Sequence, residues 1–250
     1  MHFDIITLFP EMFPGTLGGG IIGRALKEGA WSYNAINPRD FTDDAHRTVD
    51  DAAFGGTDGQ VMMAEPLARA LDSIQFCHCE GEARGNPVNN DARSATKFKP
   101  KIIYFSPRGK LWNQQAAREF LIHNSKFITL ICGRYEGIDQ RLLDEYEIEE
   151  ISVGDYILSG GEIAAQVFID SIVRLCNNVI RGGSAATENE SFEIGGLEWP
   201  LYTRPHEWRG RNVPEVLVSG HHENILRWRK VQSEKITLER RPDLIKDEKK

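Results

Sequence analysis

The sequence predicts an α/β fold with a largely parallel sheet. Short apolar runs alternate along the chain with stretches of helical periodicity, which is typical of a sheet layered between helices. Each run also ends in a glycine or proline turn, as strands of such sheets often do. The chain has 250 residues, of which 40% are hydrophobic and 27% charged, and this composition excludes disordered and fibrous proteins.

Four apolar runs are the predicted strands. They span residues 3–8, 101–105, 127–132 and 149–153. Three helices are predicted from their apolar stripes, at residues 113–124, 139–146 and 162–175. The third is apolar along most of its length and follows Gly160-Gly161.

Two polar stretches interrupt this alternation. Residues 77–100 are predicted to be a long, partly disordered loop, because glycine, asparagine and proline recur there without an apolar period. Residues 177–198 contain two glycine pairs among polar residues and are predicted to hold an interdomain linker. A last helix is predicted from about residue 223 to residue 240.

The charge changes sign near the C-terminal end. The whole chain carries −7, but residues 204–250 hold 12 basic and 8 acidic side chains. Aromatic residues alternate with these cations, which suits phosphate contacts and stacking on unpaired bases. A solvated helix face whose tryptophans turn into a core is the alternative. The residues concerned are Arg204, His206, Trp208, Arg209, Arg211, Arg227, Trp228, Arg229 and Lys230.

The four cysteines are predicted to be reduced thiols, since they are few and scattered. Cys77-His78-Cys79 lacks the ligand spacing of structural zinc sites, so no metal site is predicted there. No uncharged apolar run has the length of a membrane span, and residues 1–4 lack the basic segment of a signal peptide. We therefore expect a cytoplasmic protein.

Three turns that follow consecutive predicted strands are the candidate functional site. They lie at residues 104–107, 132–137 and 153–161 and are rich in glycine and tyrosine. Ligands of open α/β sheets bind at the carboxyl ends of the strands, and glycine lets backbone approach a ligand closely. The common nucleotide, zinc-hydrolase and serine-hydrolase motifs are absent from the sequence. The turns predict a shared pocket, although each one alone could be a simple strand-to-helix corner.

Seven ordered motifs extend along nearly the whole chain, at residues 5–13, 38–41, 46–51, 132–137, 154–162, 202–205 and 227–229. Together they resemble the bacterial tRNA (guanine-N1)-methyltransferase family, which modifies guanosine 37 beside the anticodon and belongs to the SPOUT superfamily. The resemblance implies a knotted parallel sheet with flanking helices, followed by a small, mainly helical C-terminal domain. It places a catalytic domain at residues 1–180, a linker at 181–191 and a tRNA-binding domain at 192–250.

The resemblance also implies S-adenosylmethionine as the methyl donor, held by the three turns. The cofactor-binding residues are then Tyr104, Phe105, Ser106, Pro107, Gly133, Arg134, Tyr135, Glu136, Gly137, Val153, Gly154, Asp155, Tyr156, Ile157, Leu158, Gly160 and Gly161. The family is a homodimer in which the partner subunit completes each active site, and it uses magnesium, for which no ligand can be named. The expected partner is tRNA.

The family pattern assigns the general base to Glu190 and a charge-stabilising role to Arg174. Guanine N1 carries a proton that must leave before the nitrogen can attack a methyl group, and a carboxylate can accept it. The family has aspartate at the position of Glu190. The alternatives are a solvated linker carboxylate for Glu190 and a helix-dipole cation for Arg174.

Contacts with RNA are implied for five residues: Asp50, Arg204, Arg227, Arg229 and Lys230. Asp58 departs from the family pattern, because it adds a negative charge to a glycine-rich loop expected to face RNA. Two other functions stay open at this point. One is a related knotted enzyme with a different RNA target, and the other is a catalytically silent RNA-binding protein with the same fold.

Overall fold

The computed structural model describes residues 1–56, 58–83, 101–123 and 127–245. These residues form two compact units, Met1–Val179 and Ile180–Lys250. In the described ranges, no helix combines the length and the apolar character that crossing a membrane requires.

The first unit is built on a five-stranded parallel sheet with the order β2-β1-β6-β5-β7. Its strands are β1 (His2–Ile6), β2 (Ser32–Ile36), β5 (Lys101–Leu111), β6 (Phe127–Ile131) and β7 (Ile148–Ser152). A short antiparallel hairpin is formed by β3 (Asp50–Ala52) and β4 (Gln60–Met62). The helices are α1 (Gly20–Lys27), α2 (Ala64–Ala83), α3 (Gln114–His123), α4 (Gln140–Glu145) and α5 (Gly161–Val173).

Two hydrophobic clusters cover the two faces of the sheet, because successive side chains of a strand point to opposite sides. Phe3 and Ile5 of β1 lie in the cluster with α1, α3 and α5, whereas Ile6 lies in the cluster with α2 and α4. Phe168 of α5 is fully buried in the first cluster, and its ring centroid is 4.5 Å from that of Trp112. The first unit is therefore a helix–sheet–helix sandwich.

The predicted α/β class and all four predicted strands are confirmed. Strand β2 was missed, because as an edge strand it reads Ser-Tyr-Asn-Ala-Ile and lacks an apolar run. Strand β5 continues to Leu111, beyond the predicted end at residue 105, and its pairing with β7 shifts register between Phe105 and Lys110.

The predicted loop at residues 77–100 begins too early. Helix α2 continues to Ala83, so residues 77–83 are helical, and residues 84–100 lie outside the described ranges. The error arises because several helix-compatible polar residues replace the apolar stripe in the last turns of α2. The side chains of the Cys77-His78-Cys79 motif also lie outside what is described.

The second unit contains a two-stranded hairpin, β8 (Glu207–Trp208) and β9 (Arg211–Asn212), and the helices α6 (Glu215–Val218) and α7 (His222–Arg240). Two polar side chains of helix α7 form hydrogen bonds with the backbone of Leu197. The Leu197 amide donates to Thr237 Oγ1 at 2.8 Å, and Ser233 Oγ donates to the Leu197 carbonyl at 2.6 Å. The predicted C-terminal helix is therefore present and begins one residue earlier than expected.

Candidate active site

The three predicted turns line one cavity of about 230 Å³ in the first unit. The second and third follow β6 and β7, whereas the first, predicted as a turn, lies within β5 where its pairing with β7 shifts register. The three strands are adjacent and parallel, which brings these segments together at one end of the sheet. The lining residues are Tyr104, Phe105, Ser106, Pro107, Gly133, Arg134, Tyr135, Glu136, Gly137, Ile151, Ser152, Val153, Gly154, Tyr156, Ile157, Leu158, Ser159, Gly160, Gly161 and Ala164.

All but one of the predicted cofactor-binding residues lie in this lining. Asp155 is the exception and is exposed on the turn after β7. Four lining residues were not predicted as contacts: Ile151, Ser152, Ser159 and Ala164. Ser159 lay inside the predicted turn, whereas nothing in the sequence pattern distinguishes the other three from ordinary strand and helix residues.

Glycine brings the start of α5 against the end of β6. The Gly161 amide donates to the Gly133 carbonyl at 2.9 Å. A Cβ atom on Gly161 would lie 2.7 Å from Cys132 Cα and 3.0 Å from the Gly133 nitrogen, so only glycine fits between these backbone segments. The close approach joins the second and third turns and fixes one wall of the cavity.

Tyr104 forms a second wall. Its ring lies against Gly133, where a Cβ would approach Tyr104 Cε2 to 2.7 Å, and its hydroxyl lies near Gly137, which has a φ of +117°. Burial raises the pKa of Tyr104 above its usual value, with a smaller opposing contribution from Arg108. The phenol therefore stays protonated near neutral pH and offers a flat, neutral surface with a hydrogen-bond donor.

The turn after β7 is held by its own side chains. Tyr156 Oη donates to the Val153 carbonyl at 3.0 Å, and Gly154 adopts a φ of +152° beneath the tyrosine ring. Tyr156 and Ile157 are nevertheless largely exposed. The cavity therefore combines apolar and aromatic walls with backbone polar groups, which suits a ligand that has both an aromatic part and a polar part.

Arg134 lies at the centre of a buried ionic network. Its Nη2 is 2.9 Å from Glu162 Oε2, and its Nε donates to Glu162 Oε1 at 3.2 Å. Thr7 Oγ1 donates to the same Glu162 Oε1 at 2.8 Å, and Glu162 has no exposed surface. Arg134 Nη1 donates to the Ser159 carbonyl at 3.1 Å, so the network joins β1 and α5 to the turns after β6 and β7.

This network changes the interpretation of Arg134, which was predicted only as a ligand contact. Its guanidinium also lies 4.4 Å from the ring centroid of Phe9, and the site of a Cβ on Gly160 is 2.6 Å from Arg134 Cζ. Glu162 was not predicted as a functional residue. The sequence does show that Glu162 is a charged residue in the first turn of the mostly apolar helix α5. A charged residue in such a buried position is usually paired.

The predicted catalytic residues belong to different units. Arg174 follows α5 at its C-cap and is half-buried, so the helix-dipole role is compatible with its position. Glu190 is a half-buried residue of the second unit, and its amide donates to the Thr187 carbonyl at 3.3 Å. Asp50 is half-buried in β3 and pairs with Met62 of β4.

The predicted RNA contacts in the second unit differ in exposure. Arg204, Arg227 and Lys230 are exposed, and Lys230 lies 3.9 Å from Glu234. Arg229 is half-buried, with its guanidinium 4.9 Å from the ring centroid of Trp199. Arg229 therefore contributes to packing within this unit, a role that its place in a cationic run did not reveal.

Metal and thiol chemistry find no support in the described part of the chain. No group of three or more histidine, cysteine, aspartate or glutamate side chains is close enough there to hold a metal ion. Cys132 is fully buried beside the cavity, and burial raises its thiol pKa well above the usual value. It is therefore a packing residue and not a nucleophile.

Comparison with known proteins identifies similar chains along the whole length. The family model described as tRNA (Guanine-1)-methyltransferase TrmD matches residues 1–247. A tRNA (guanine-N(1)-)-methyltransferase of Cereibacter sphaeroides strain KD131 is 49% identical over 240 residues, which are 96% of this chain and 89% of the relative. Proteins of the same name from Rickettsia akari and Anaplasma marginale strain St. Maries are 46% and 44% identical. Each covers 99% of this chain, and the alignments span 98% and 95% of those relatives.

Proposed function

The chain belongs to the tRNA (guanine-1)-methyltransferase family, and from this premise we propose that it methylates N1 of guanosine 37, using the cavity at the ends of β5, β6 and β7 as the donor site. Membership makes it a tRNA (guanine-N1)-methyltransferase that uses S-adenosylmethionine, and it makes the parallel sheet one of SPOUT type. The convergence in one cavity of residues 104–107 and two glycine-containing turns, 132–137 and 153–161, carries the assignment of the donor site.

The lining fits the chemical parts of S-adenosylmethionine. Apolar and aromatic walls such as Phe105, Ile151 and Tyr156 suit an adenine ring, and the glycine turns leave backbone amides and carbonyls accessible to its polar groups. When bound, S-adenosylmethionine supplies the methyl group of its sulfonium. Gly133 and Gly161 fit closely against neighbouring atoms, so a larger side chain at either position would disturb the wall of the cavity.

Glu190 acts as the general base in this proposal. The carboxylate accepts the proton of guanine N1, and the freed nitrogen lone pair forms the new bond to the methyl carbon while the carbon–sulfur electron pair stays on sulfur. Arg174 places a positive charge near guanine O6, where negative charge develops as the proton leaves. The family pattern and the half-buried positions of both residues support these roles.

The proposal includes a homodimer in which Glu190 of the partner subunit reaches the donor cavity. Helix α5 buries most of its residues, yet Ile163 and Val167, one turn apart, are 46% and 45% exposed. Two adjacent exposed aliphatic residues on a helix of the catalytic unit provide an apolar surface that a second copy can cover.

No ligand is named for the magnesium that the resemblance implies, since the described residues contain no group of three or more histidine, cysteine, aspartate or glutamate side chains that could hold a metal ion. No step of the reaction is therefore assigned to a metal ion.

The experiment that tests the proposed function is methylation of two tRNA transcripts that differ only at position 37. We expect methyl transfer to the transcript with guanosine 37 and none to the one with adenosine 37. Mass analysis of the digested product should give 1-methylguanosine at that position. A product at another position, or none despite measurable binding of S-adenosylmethionine, would contradict the proposal.

The exposed cations of α7 give a second prediction. Replacing both Arg227 and Lys230 by alanine should weaken tRNA binding and reduce the slope of log K against log salt by about 2, because each phosphate contact contributes roughly one unit. Arg229 is not replaced in this experiment. Its side chain packs on Trp199, so Arg229→Ala would also change the packing of the second unit. Binding measured at several salt concentrations tests this, with Lys110→Ala as the control for an exposed cation in the first unit. A double variant with the wild-type slope would exclude α7 from RNA binding.

A further inference from the structure

A second cavity adjoins the donor cavity in the first unit. It has a volume of about 910 Å³ and shares five lining residues with the donor cavity: Tyr104, Ser106, Pro107, Glu136 and Gly137. Its other walls come from the β3–β4 hairpin, the start of α2 and residues 138–141. Any base that is to receive the methyl group must approach the donor cavity, and this neighbouring cavity provides room for it within the unit.

Phe54 lies at the tip of the β3–β4 hairpin and lines this second cavity. Its side chain is completely exposed. Burying a phenylalanine side chain stabilises a protein by about 1.5–3 kcal/mol, and Phe54 contributes none of this to the fold of the unit. The aromatic ring is therefore available for a ligand.

The backbone beside Phe54 is equally open. Gly55 and Gly56 have φ values of +94° and +78°, which favour glycine, and no atom lies within 4 Å of the position that a Cβ would occupy at either residue. A flat ring can therefore approach Phe54 without meeting a neighbouring side chain at these two positions. Arg108 and Arg141, both exposed, also line the cavity, where each is paired with an acidic residue, Glu150 and Asp139 respectively.

From these observations we propose that Phe54 stacks on the guanine that is methylated and holds it in the second cavity, with its N1 edge toward the donor. The inference rests on the proposed donor site. Guanine must leave the base stack before its N1 can be reached, and an aromatic side chain replaces part of the lost stacking. In this proposal Phe54 is a substrate-binding residue of the methyltransferase.

Phe54→Ala should lower kcat/KM for tRNA by about 10- to 100-fold, the range found when one base–aromatic stack is removed. Phe54→Tyr, which keeps the aromatic face, should retain most of the activity. The affinity for S-adenosylmethionine and the melting temperature should not change, since the side chain is fully exposed. Ile122→Ala is the matched control, because Ile122 is 74% exposed on α3 and lines neither cavity.

A direct readout of stacking uses tRNA with 2-aminopurine at the target position. Binding to the wild-type protein should quench its fluorescence, and binding to Phe54→Ala should quench it much less. Equal quenching and equal kcat/KM in both proteins would overturn the inference. So would a Phe54→Ala protein whose mass by light scattering falls to that of one chain, since Phe54 would then be a contact between copies. If the wild-type protein itself fails to bind S-adenosylmethionine, the proposed donor site fails instead.

Discussion

Replacing Glu190 by glutamine should lower the rate of methyl transfer by a factor of roughly 10²–10⁴, the contribution of a positioned general base. Glutamine has almost the same size and can still accept a hydrogen bond, but its amide cannot take the N1 proton. Because the donor cavity is formed by the first unit, the affinity for S-adenosylmethionine should stay unchanged. Single-turnover methylation and calorimetric titration with S-adenosylmethionine measure the two quantities separately.

Glu190→Asp is the control variant for this prediction. Aspartate is the residue of the family pattern and is one methylene shorter, so it keeps the proton acceptor and changes only its reach. We expect Glu190→Asp to keep more activity than Glu190→Gln because it retains a proton acceptor, although a reach shorter by about one C–C bond can cost on the order of a hundredfold in rate. Wild-type activity in Glu190→Gln would remove Glu190 from the mechanism.

The proposed sharing of active sites can be tested with the same variant. Glu190→Gln and a donor-cavity variant, Gly161→Val, should each be inactive alone, the second because a larger side chain cannot fit beside Cys132. In dimers formed at random from the two variants, about a quarter of the sites should combine an intact Glu190 with an intact cavity. Recovery of activity on co-expression indicates that Glu190 acts across the dimer. No recovery would place it in the cavity of its own chain.

The sequence predicted the sheet where the strands are buried on both faces. Strands β1 and β6 and the first half of β5 are apolar runs, whereas β7, at the other edge of the sheet, reads Ile-Glu-Glu-Ile-Ser and was predicted from a weaker pattern. Strand β2 could not be predicted in this way, because an edge strand with half-exposed residues carries no such run. The continuation of β5 through Pro107 was equally hidden, since the register shift that accommodates it depends on the neighbouring β7.

The cavity was predictable because adjacent parallel strands bring their carboxyl ends together, and the turns after β6 and β7 are rich in glycine. Residues 104–107 were predicted as a turn but lie within β5. The Thr7–Glu162–Arg134 network could not be predicted from the sequence. Its members are separated by 28 to 155 positions along the chain, and no local pattern relates them. Likewise, the cationic run at residues 227–230 does not reveal that Arg229 packs on Trp199.

Arg134→Met should lower the free energy of unfolding by about 3–5 kcal/mol, the cost of leaving one partner of a buried ion pair uncompensated. Methionine approximates the apolar stem of arginine but cannot neutralise Glu162, which has no contact with solvent. Arg141→Met is the matched control, because Arg141 is paired with Asp139 at the surface, and such pairs contribute about 0–1 kcal/mol. Chemical denaturation of the three proteins gives the comparison. A loss below 1 kcal/mol for Arg134→Met would show that water reaches Glu162 in solution.

The double variant Arg134→Met/Glu162→Gln then separates the two roles of Arg134. Neutralising Glu162 removes the buried charge and keeps an acceptor for the Thr7 hydroxyl, so most of the lost stability should return. If Arg134 only supports the turns through Ser159 and Gly160, the affinity for S-adenosylmethionine should recover in the double variant together with the stability. If Arg134 also contacts the donor, the double variant should fold stably and still bind S-adenosylmethionine weakly. Because its Nε and Nη2 face Glu162 and its Nη1 donates to Ser159, we expect the first result.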